Sequence, residues 1–398
     1  MRFLVAISPT HAHWCMVAST LEAQHFVRIN PPERVESKPV TDPPTDKRTF
    51  LFATCQVGAE QALKDEIVRE HPHLRLAFSR PGFVTFKAAA APGVDSQFVL
   101  DSVFARTYGA CLGTVTADRA AVIDMAKAMT SPPLRLHLWS RDLHAPRDAP
   151  LGYVPGELSA HANQEIRALH ATGLFHSDVV ATLGDLVLDV IIVDEDVWWI
   201  GCHRHSPTHS PYPGARPPIP LPRNAPSRAY LKIEEGILWA DAPLQSGDTA
   251  VEVGSAPGGA CLALLDRGLR VVGIDPAAMH PSVLSHRAFR HIQRPMALVR
   301  REELPASVQW MVLDVNIEPG AALIGVDRLV ARMRDTLLGV LFTLKLNNWQ
   351  LVQQLPRFFD HVRAMGLHDV TAKQLANNGR EIFVYGETAK GMARRRGP

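Results

Sequence analysis

No cysteine in this 398-residue chain belongs to a CxxC pair; the five stand apart at positions 15, 55, 111, 202 and 261. Isolated thiols fit a reducing compartment and argue against both a disulfide framework and a structural zinc site. Histidine is plentiful at eighteen residues, yet close pairs such as His11/His13, His71/His73 and His203/His205 have no matching partner pair. They read as surface and loop residues, and no metal is expected. Long apolar runs are also missing: none approaches the roughly 18 residues that cross a bilayer. Residues 1–30 lack the basic flank and unbroken apolar core of a signal peptide. The expectation is a soluble, cytoplasmic protein with no membrane attachment. Neither sign of charge is in excess, since 42 Lys and Arg against 40 Asp and Glu leave a net charge of +2. That balance permits an anionic partner without demanding one. Hydrophobic residues at 46% and charged residues at 21% are ordinary globular values, and the length suits two or three domains. Nothing in the sequence sets an oligomeric state.

The clearest boundary is "SPTHSPYPGARPPIPLPRNAP", residues 206–226, with eight prolines. Proline fixes φ and donates no hydrogen bond, so an extended, polyproline-like connector is predicted. Before it, "RTFLFATCQVGAEQALKDEIVREHPHLRLAFSRPGFVTFK" reads as strand, helix and a strand pair, with a helical stripe at Ala59, Leu63, Glu66 and Ile67. A helix around Asp101 to Ala110, a strand at Leu134 to Trp139, a helix at about Glu157 to Ala171 and a hairpin turning at Asp194 to Asp196 complete an α+β half. Residues 1–47 form an extension of uncertain structure that ends in a proline-rich linker. After the connector, strands at 249–253, 270–274, 309–313 and 339–345 alternate with helices. Two last strands, "DVTAKQL" and "EIFVYGE", flank Asn377, Asn378 and Gly379, a hairpin signal. The predicted class is therefore α/β over residues 227–390: a Rossmann-like, doubly wound, mostly parallel sheet ending in an antiparallel hairpin. The basic tail, 391–398, reads as disordered.

Within that half, "VEVGSAPGG" enters a glycine-rich turn from a β-branched strand. Gly254, Gly258 and Gly259 let the backbone approach a ligand, and a helix starting there aims free N–H groups at it. The spacing is not GxGxxG, and no GK[ST] follows to hold phosphate and magnesium. With Ala256 and Pro257 shaping the turn, a ligand without pyrophosphate fits best. Asp275, ending the next strand, is placed to accept ribose hydroxyls; the duller alternative is a helix-capping acid. Glu252 is either a buried support of the loop or a satisfied structural acid.

Four charged residues stand where a merely structural sheet does not need them: Lys232 on the helix after the connector, Asp314 and Lys345 at strand ends, and Glu381 opening the last strand. The carboxyl ends of parallel strands line the ligand crevice, so Asp314 and Lys345 are expected to face the glycine turn. Each alone is explained as solvated surface; their joint placement is not.

The series Lys232, Asp314, Lys345 and Glu381, threaded through "VEVGSAPGG", resembles the catalytic tetrad of FtsJ-like S-adenosyl-L-methionine-dependent ribose 2'-O-methyltransferases. "PSRAYLKIEE" and "GREIFVY" carry the most specific part of the likeness. Upstream, "CQVGAEQALKDEI", "RPGFVTF" and "SVFAR" resemble the bacterial large-subunit ribosomal RNA cytidine 2'-O-methyltransferases, so the resemblance covers about residues 48–388. It implies a ferredoxin-like region (48–125), a THUMP-like RNA-binding region (126–205) and methyl transfer to a cytidine of 23S rRNA. It also implies that Ala256, Pro257, Gly258 and Gly259, with Ser227 nearby, hold the methionine part of the cofactor. Asp275 would hold the ribose, and Glu303 in "RREEL" would stand near the adenine. Glu252 replaces the family's usual aspartate, and Ala260 stands where an aromatic often follows the glycines. The resemblance makes Lys345 the base or electrostatic guide of the hydroxyl, positioned by Asp314 and supported by Lys232 and Glu381. Arg141, His203, Arg204 and Arg223 are weaker candidates for RNA contact. A base N-methyltransferase is the nearest rival, but its usual Asn/Asp-Pro-Pro-aromatic motif is replaced by "DVNI". An inactive RNA-binding scaffold and a dehydrogenase are the remaining alternatives.

Overall fold

The computed structural model describes residues 49–89, 93–129, 133–145 and 160–396, with one short antiparallel pairing before them, β1 (Trp14–Met16) with β2 (Phe26–Arg28). The linker at 31–47 and the predicted start of the helix at 157 lie outside the described residues.

Two seven-stranded sheets organise the rest. The first contains β3 (Phe50–Thr54), β4 (Leu74–Arg80), β5 (Phe83–Ala88), β6 (Thr107–Val115), β7 (Arg135–Ser140), β8 (Leu186–Asp194) and β9 (Val197–Arg204). Its order is β4-β5-β3-β6-β9-β8-β7, antiparallel throughout except for the β7–β8 pair. Strands from residues 48–125 and 126–205 thus share one sheet, joined where β6 pairs with β9. Three helices accompany it: α1 (Glu60–Glu70), α2 (Arg119–Ala128) and α3 (Ala160–His170). The α1 stripe buries Ala62, Leu63, Glu66 and Ile67, and Ala59 is buried just before it.

The helix expected around Asp101 to Ala110 is a correction. Residues 107–115 form β6, between β3 and β9. Glycine is a poor helix former, and here Gly109 is needed because a Cβ would collide with the ring of Phe52 and the carbonyl of Cys202. The connector also differs from expectation. A short 3-10 turn at Pro213–Ala215 buries Gly214 against the Trp139 ring, and Arg216 pairs with buried Asp142. Residues 206–216 are packed as a strap on the first sheet rather than held away from it.

The second sheet contains β10 (Thr249–Val253), β11 (Arg270–Ile274), β12 (Phe289–Ile292), β13 (Trp310–Asp314), β14 (Gly339–Lys345), β15 (His368–Lys373) and β16 (Glu381–Glu387). Its order is β12-β11-β10-β13-β14-β16-β15; the first five strands are parallel, and β16 runs antiparallel to both neighbours. This is the predicted doubly wound sheet with its carboxyl-terminal hairpin. The expected turn at Asn377–Gly379 is part of a seven-residue loop, 374–380. Strand β12 is an edge strand of four residues, too short to show alternation in the sequence. The helices are α4 (Ala229–Ala240), α5 (Gly259–Asp266), α6 (Pro281–Leu284), α7 (Pro319–Met333), α8 (Leu355–Ala364) and α9 (Ala389–Arg396). The tail expected to be disordered is largely α9: Arg394 pairs with Asp248 at 2.7 Å and Arg395 with Glu387 at 2.9 Å. No helix among the described residues is long and apolar enough to cross a membrane.

Helix α4 lies so close to β16 that Gly236 has no room for a side chain, because a Cβ would overlap the buried Phe383 ring. Gly236→Ala is therefore expected to destabilise the fold by about 1–3 kcal/mol despite alanine's better helix propensity. Urea unfolding checks this; a neutral or stabilised variant would contradict such close packing.

The two halves meet at the end of β15. Lys373 Nζ donates to the Ser102 carbonyl at 2.9 Å, Gln374 N donates to the Val103 carbonyl at 2.7 Å, and the Phe104 and Trp349 rings approach to 6.4 Å. Glu66 reaches the same 102–104 segment and accepts from the backbone N–H of Val103 at 2.8 Å. Burial pushes the Lys373 ammonium down to about 8, although Glu66 and Asp101 oppose the shift.

Candidate active site

Strand register assembles the four charged residues. Lys345 and Glu381 are direct cross-strand partners on β14 and β16, while Asp314 ends β13 opposite Thr343 of β14. Lys232 reaches in from α4. Lys345 Nζ lies 2.5 Å from Asp314 Oδ1 and 2.5 Å from Glu381 Oε2. Lys232 Nζ lies 2.5 Å from Glu381 Oε1 and 3.7 Å from Asp314 Oδ2. Each carboxylate bridges both ammoniums, and the ring is neutral overall. Side-chain exposure falls from 21% at Lys232 and 15% at Asp314 to 10% at Lys345 and 4% at Glu381, so the ring opens to solvent on the Lys232–Asp314 side.

Pairing overrides burial at the inner two members. Burial acts to lower the Lys345 pKa, but Asp314 and Glu381 outweigh it and hold the ammonium above the ordinary lysine value. Burial acts to raise the Glu381 carboxyl, but Lys232 and Lys345 hold it below the usual glutamate range. Lys345 and Glu381 are thus both held in their charged forms.

Glu235 supports the ring and was not singled out from the sequence. One turn after Lys232 on α4, it is buried and accepts from Ala376 N at 2.8 Å, Asn377 N at 2.7 Å and Asn377 Nδ2 at 2.8 Å. It thereby fixes the loop that leads into Glu381. The readable signal was the i, i+3, i+4 set Lys232, Glu235 and Gly236, which puts two charges and a glycine on one helix face.

The glycine turn joins β10 to α5. Gly254 has φ 83°, and a Cβ there would collide with the Asp314 carbonyl, so the turn and the ring share a wall. Gly258 caps α5 with φ 116°. Ser227 lies where a Cβ on Gly259 would point. Asp275 Oδ2 accepts from Ala256 N at 3.1 Å and its Oδ1 from Ala277 N at 2.8 Å, which ties the end of β11 to the turn. Under the turn, Glu252 is almost wholly buried, and its Oε2 has no hydrogen-bond partner among the described residues. Burial pushes its carboxyl up to about 8; the bond to Cys261 opposes this, while Asp314 and Asp275 reinforce it. A left-handed glycine turn, a helix amino terminus and an acid at the end of the neighbouring strand fit a nucleoside-bearing ligand such as S-adenosyl-L-methionine.

The structure brings together Ser227, Gly254, Ala256, Pro257, Gly258, Gly259, Asp275 and Asp314. The Glu303 carboxylate pairs with Arg294 at 3.2 Å and accepts from Arg300 N at 2.9 Å, closing a 3-10 turn. Of the four residues considered for RNA contact, Arg223 is exposed. Arg141 is committed to the β8–β9 turn through Asp194, at 3.2 Å, and the Val193 carbonyl. Arg204 donates to the Gly184 carbonyl at 2.8 Å. His203 is only 1% exposed, so the surface reading of this histidine is corrected: strand alternation turns it inward.

Among curated proteins, the chain is similar to ribosomal RNA large subunit methyltransferase M of several bacteria. It is 30% identical to that of Azoarcus sp. (strain BH72) over 188 residues, 44% of this chain and 50% of the relative. It is 33% identical to that of Halorhodospira halophila over 192 residues, 47% and 53% of the two chains. It is 31% identical to that of Xylella fastidiosa (strain M12) over 242 residues, 58% and 61% of the two chains. The matched region spans about half the length of the curated relatives. No family model matches the chain. A putative hemolysin from Lactococcus lactis overlaps 43% of this chain and 91% of its own at 16% identity and a TM-score of 0.34. That overlap is too slight to bear on the fold.

Proposed function

We propose that this chain transfers a methyl group from S-adenosyl-L-methionine to a ribose 2'-hydroxyl in RNA, with a cytidine of 23S rRNA as the target. The observation that carries this reading is the closed Lys232–Glu381–Lys345–Asp314 ring against the glycine turn. Its similarity to large-subunit rRNA methyltransferases supports RNA as the substrate. The first sheet, over the residues whose sequence resembles ferredoxin-like and THUMP regions, is assigned the RNA-binding role, reading folded RNA by shape and backbone.

The cofactor supplies the methyl group and a positive sulfonium; the chain's residues handle the hydroxyl. The Lys345 ammonium has no lone pair with which to take a proton, and its direction of shift favours an orienting role. It donates to a lone pair of the 2'-oxygen and fixes the direction from which that oxygen attacks. As the oxygen bonds to carbon its proton becomes strongly acidic, so a carboxylate suffices as acceptor. Asp314, on the open side of the ring, takes that role, while Glu381 and Lys232 keep the ring charged and in register. Glu252, its carboxyl pushed up by burial, supports the turn from beneath.

This account predicts a particular pH profile. With Lys345 protonated throughout, single-turnover methylation is expected to be level through the neutral range. It falls below the ordinary glutamate region, about pH 4.3, as Glu381, held below that range by the two lysines, gains a proton. A rate rising tenfold per unit between pH 7 and 10 would mark a free amine as the base and overturn the assignment. The target is tested by mapping ribose methylation in ribosomal RNA from cells with and without the gene. Loss of one 2'-O-methylcytidine from 23S rRNA is expected, and an unchanged map rules that target out.

A further inference from the structure

Three buried polar residues on neighbouring strands of the first sheet have no part in the chemistry above. His137 on β7 is the register partner of Asp189 on β8, and His203 lies two residues past Gly201, the β9 partner of Asp189, and so on the same face. They are 1%, 0% and 1% exposed. One ligand atom from each falls within 4.8 Å of the others.

Hydrogen bonding alone does not satisfy this group. His137 Nε2 lies 3.0 Å from the Val179 carbonyl, which can only accept, so Nε2 carries the proton and Nδ1 presents its lone pair. That lone pair faces Asp189 Oδ1, another acceptor, at 4.0 Å, beyond hydrogen-bond range. Among the described residues Asp189 Oδ1 has no hydrogen-bond partner, while Oδ2 lies 2.7 Å from His203 Nδ1. A simple His–Asp pair thus leaves Asp189 Oδ1 buried and, among the described residues, unsatisfied. Such an orphan costs about 1–3 kcal/mol. Two acceptors converging on one buried point are what a cation resolves. Across a tetrahedral zinc with bonds of about 2.0–2.1 Å, ligand atoms stand roughly 3.3 Å apart, so the 4.0 Å His137–Asp189 gap must close by about 0.7 Å and the 2.7 Å His203–Asp189 contact must open by about 0.6 Å. The Val179 carbonyl already acts as the outer partner that a metal-bound histidine requires. The connector covers the site: the His209 ring stacks on His203 at 4.3 Å with 13° between the planes.

We propose that His137, Asp189 and His203 bind a divalent ion of the zinc class, which staples β7, β8 and β9 beneath the connector. Two imidazoles and one carboxylate leave a fourth position for water, and no thiolate takes part. The assignment is independent of the methyl-transfer reading, because its residues and the ring lie in different sheets.

The test uses untagged full-length protein stripped with chelator and then offered zinc alone or cobalt alone. A single equivalent of zinc retained through gel filtration, with a raised unfolding midpoint, is expected. Cobalt is expected to give the visible bands of a tetrahedral nitrogen–oxygen site without thiolate charge transfer. Asp189→Asn and His137→Gln, shown to be folded by circular dichroism, should lose both the retained ion and the midpoint shift. Lys345→Met should keep them. Wild-type protein that retains no zinc and shows no shift leaves only a His–Asp hydrogen-bond network and overturns the site, as does a thiolate band with cobalt. Should Asp189→Asn fail to fold, the wild-type spectrum and His137→Gln decide the matter.

Discussion

Lys345→Met is expected to slow methyl transfer by about a thousandfold while leaving S-adenosyl-L-methionine binding intact. Methionine keeps most of the aliphatic stem that fills the space between β14 and β16, so the loss isolates the ammonium. Without it, Asp314 and Glu381 retain only Lys232, and the ring changes from neutral to negative. A negative ring still welcomes a sulfonium, hence the retained binding, but it no longer aims a donor at the 2'-oxygen. Single-turnover kinetics on RNA, with calorimetric titration of the cofactor, separate the two effects. Activity within tenfold of wild type would remove Lys345 from the chemistry; lost cofactor binding would make its role structural.

A comparable effect on stability is expected at Asp142. This carboxylate is 2% exposed and accepts from Arg106 at 2.6 Å and from Arg216 of the connector. Burial works to raise its pKa, but the two guanidiniums outweigh burial and hold it below the usual aspartate value. Asp142→Ala strands two arginines, one of them already lacking partners for Nε and Nη1, and is expected to cost about 3–5 kcal/mol. That is a large share of the roughly 5–15 kcal/mol that holds a typical domain together. The sign with pH follows from the depressed folded pKa. The stabilisation is present above the unfolded value, about 3.9, and is lost as pH falls through the folded one. Urea unfolding at pH 7 and in acid checks both statements. A variant within 0.5 kcal/mol of wild type, as ordinary surface changes are, would show that the cluster does not anchor the connector.

The parts of this protein legible from its sequence are those that local pattern determines. Val251, Val253 and the glycines after them announce a strand entering a tight turn, and β10 and the start of α5 fall where expected. Asp314 and Lys345 were readable as a candidate pair because the carboxyl ends of parallel strands line one crevice, and the β13–β14 pairing places them 2.5 Å apart. The misread parts depend on tertiary partners. β6 looked helical because the residues leading into it suit a helix, and only its place between β3 and β9 makes Tyr108 and Ala110 core residues of a strand. The 391–398 tail looked disordered because its arginines seemed unpaired, yet Asp248 and Glu387, distant in sequence, receive them. His137, Asp189 and His203 are separated by 52 and 14 positions, and only the β7–β8–β9 register brings them together.

The most direct measurement is the identity of the nucleoside formed. Purified protein, isotopically labelled S-adenosyl-L-methionine and 23S rRNA lacking the modification are incubated together, and the RNA is digested to nucleosides for mass spectrometry. Label in 2'-O-methylcytidine, carried on the ribose fragment, is expected, formed about a thousandfold more slowly by Lys345→Met. Label on a base fragment, or none at all from protein that binds both the cofactor and the RNA, would contradict the proposed ribose methylation.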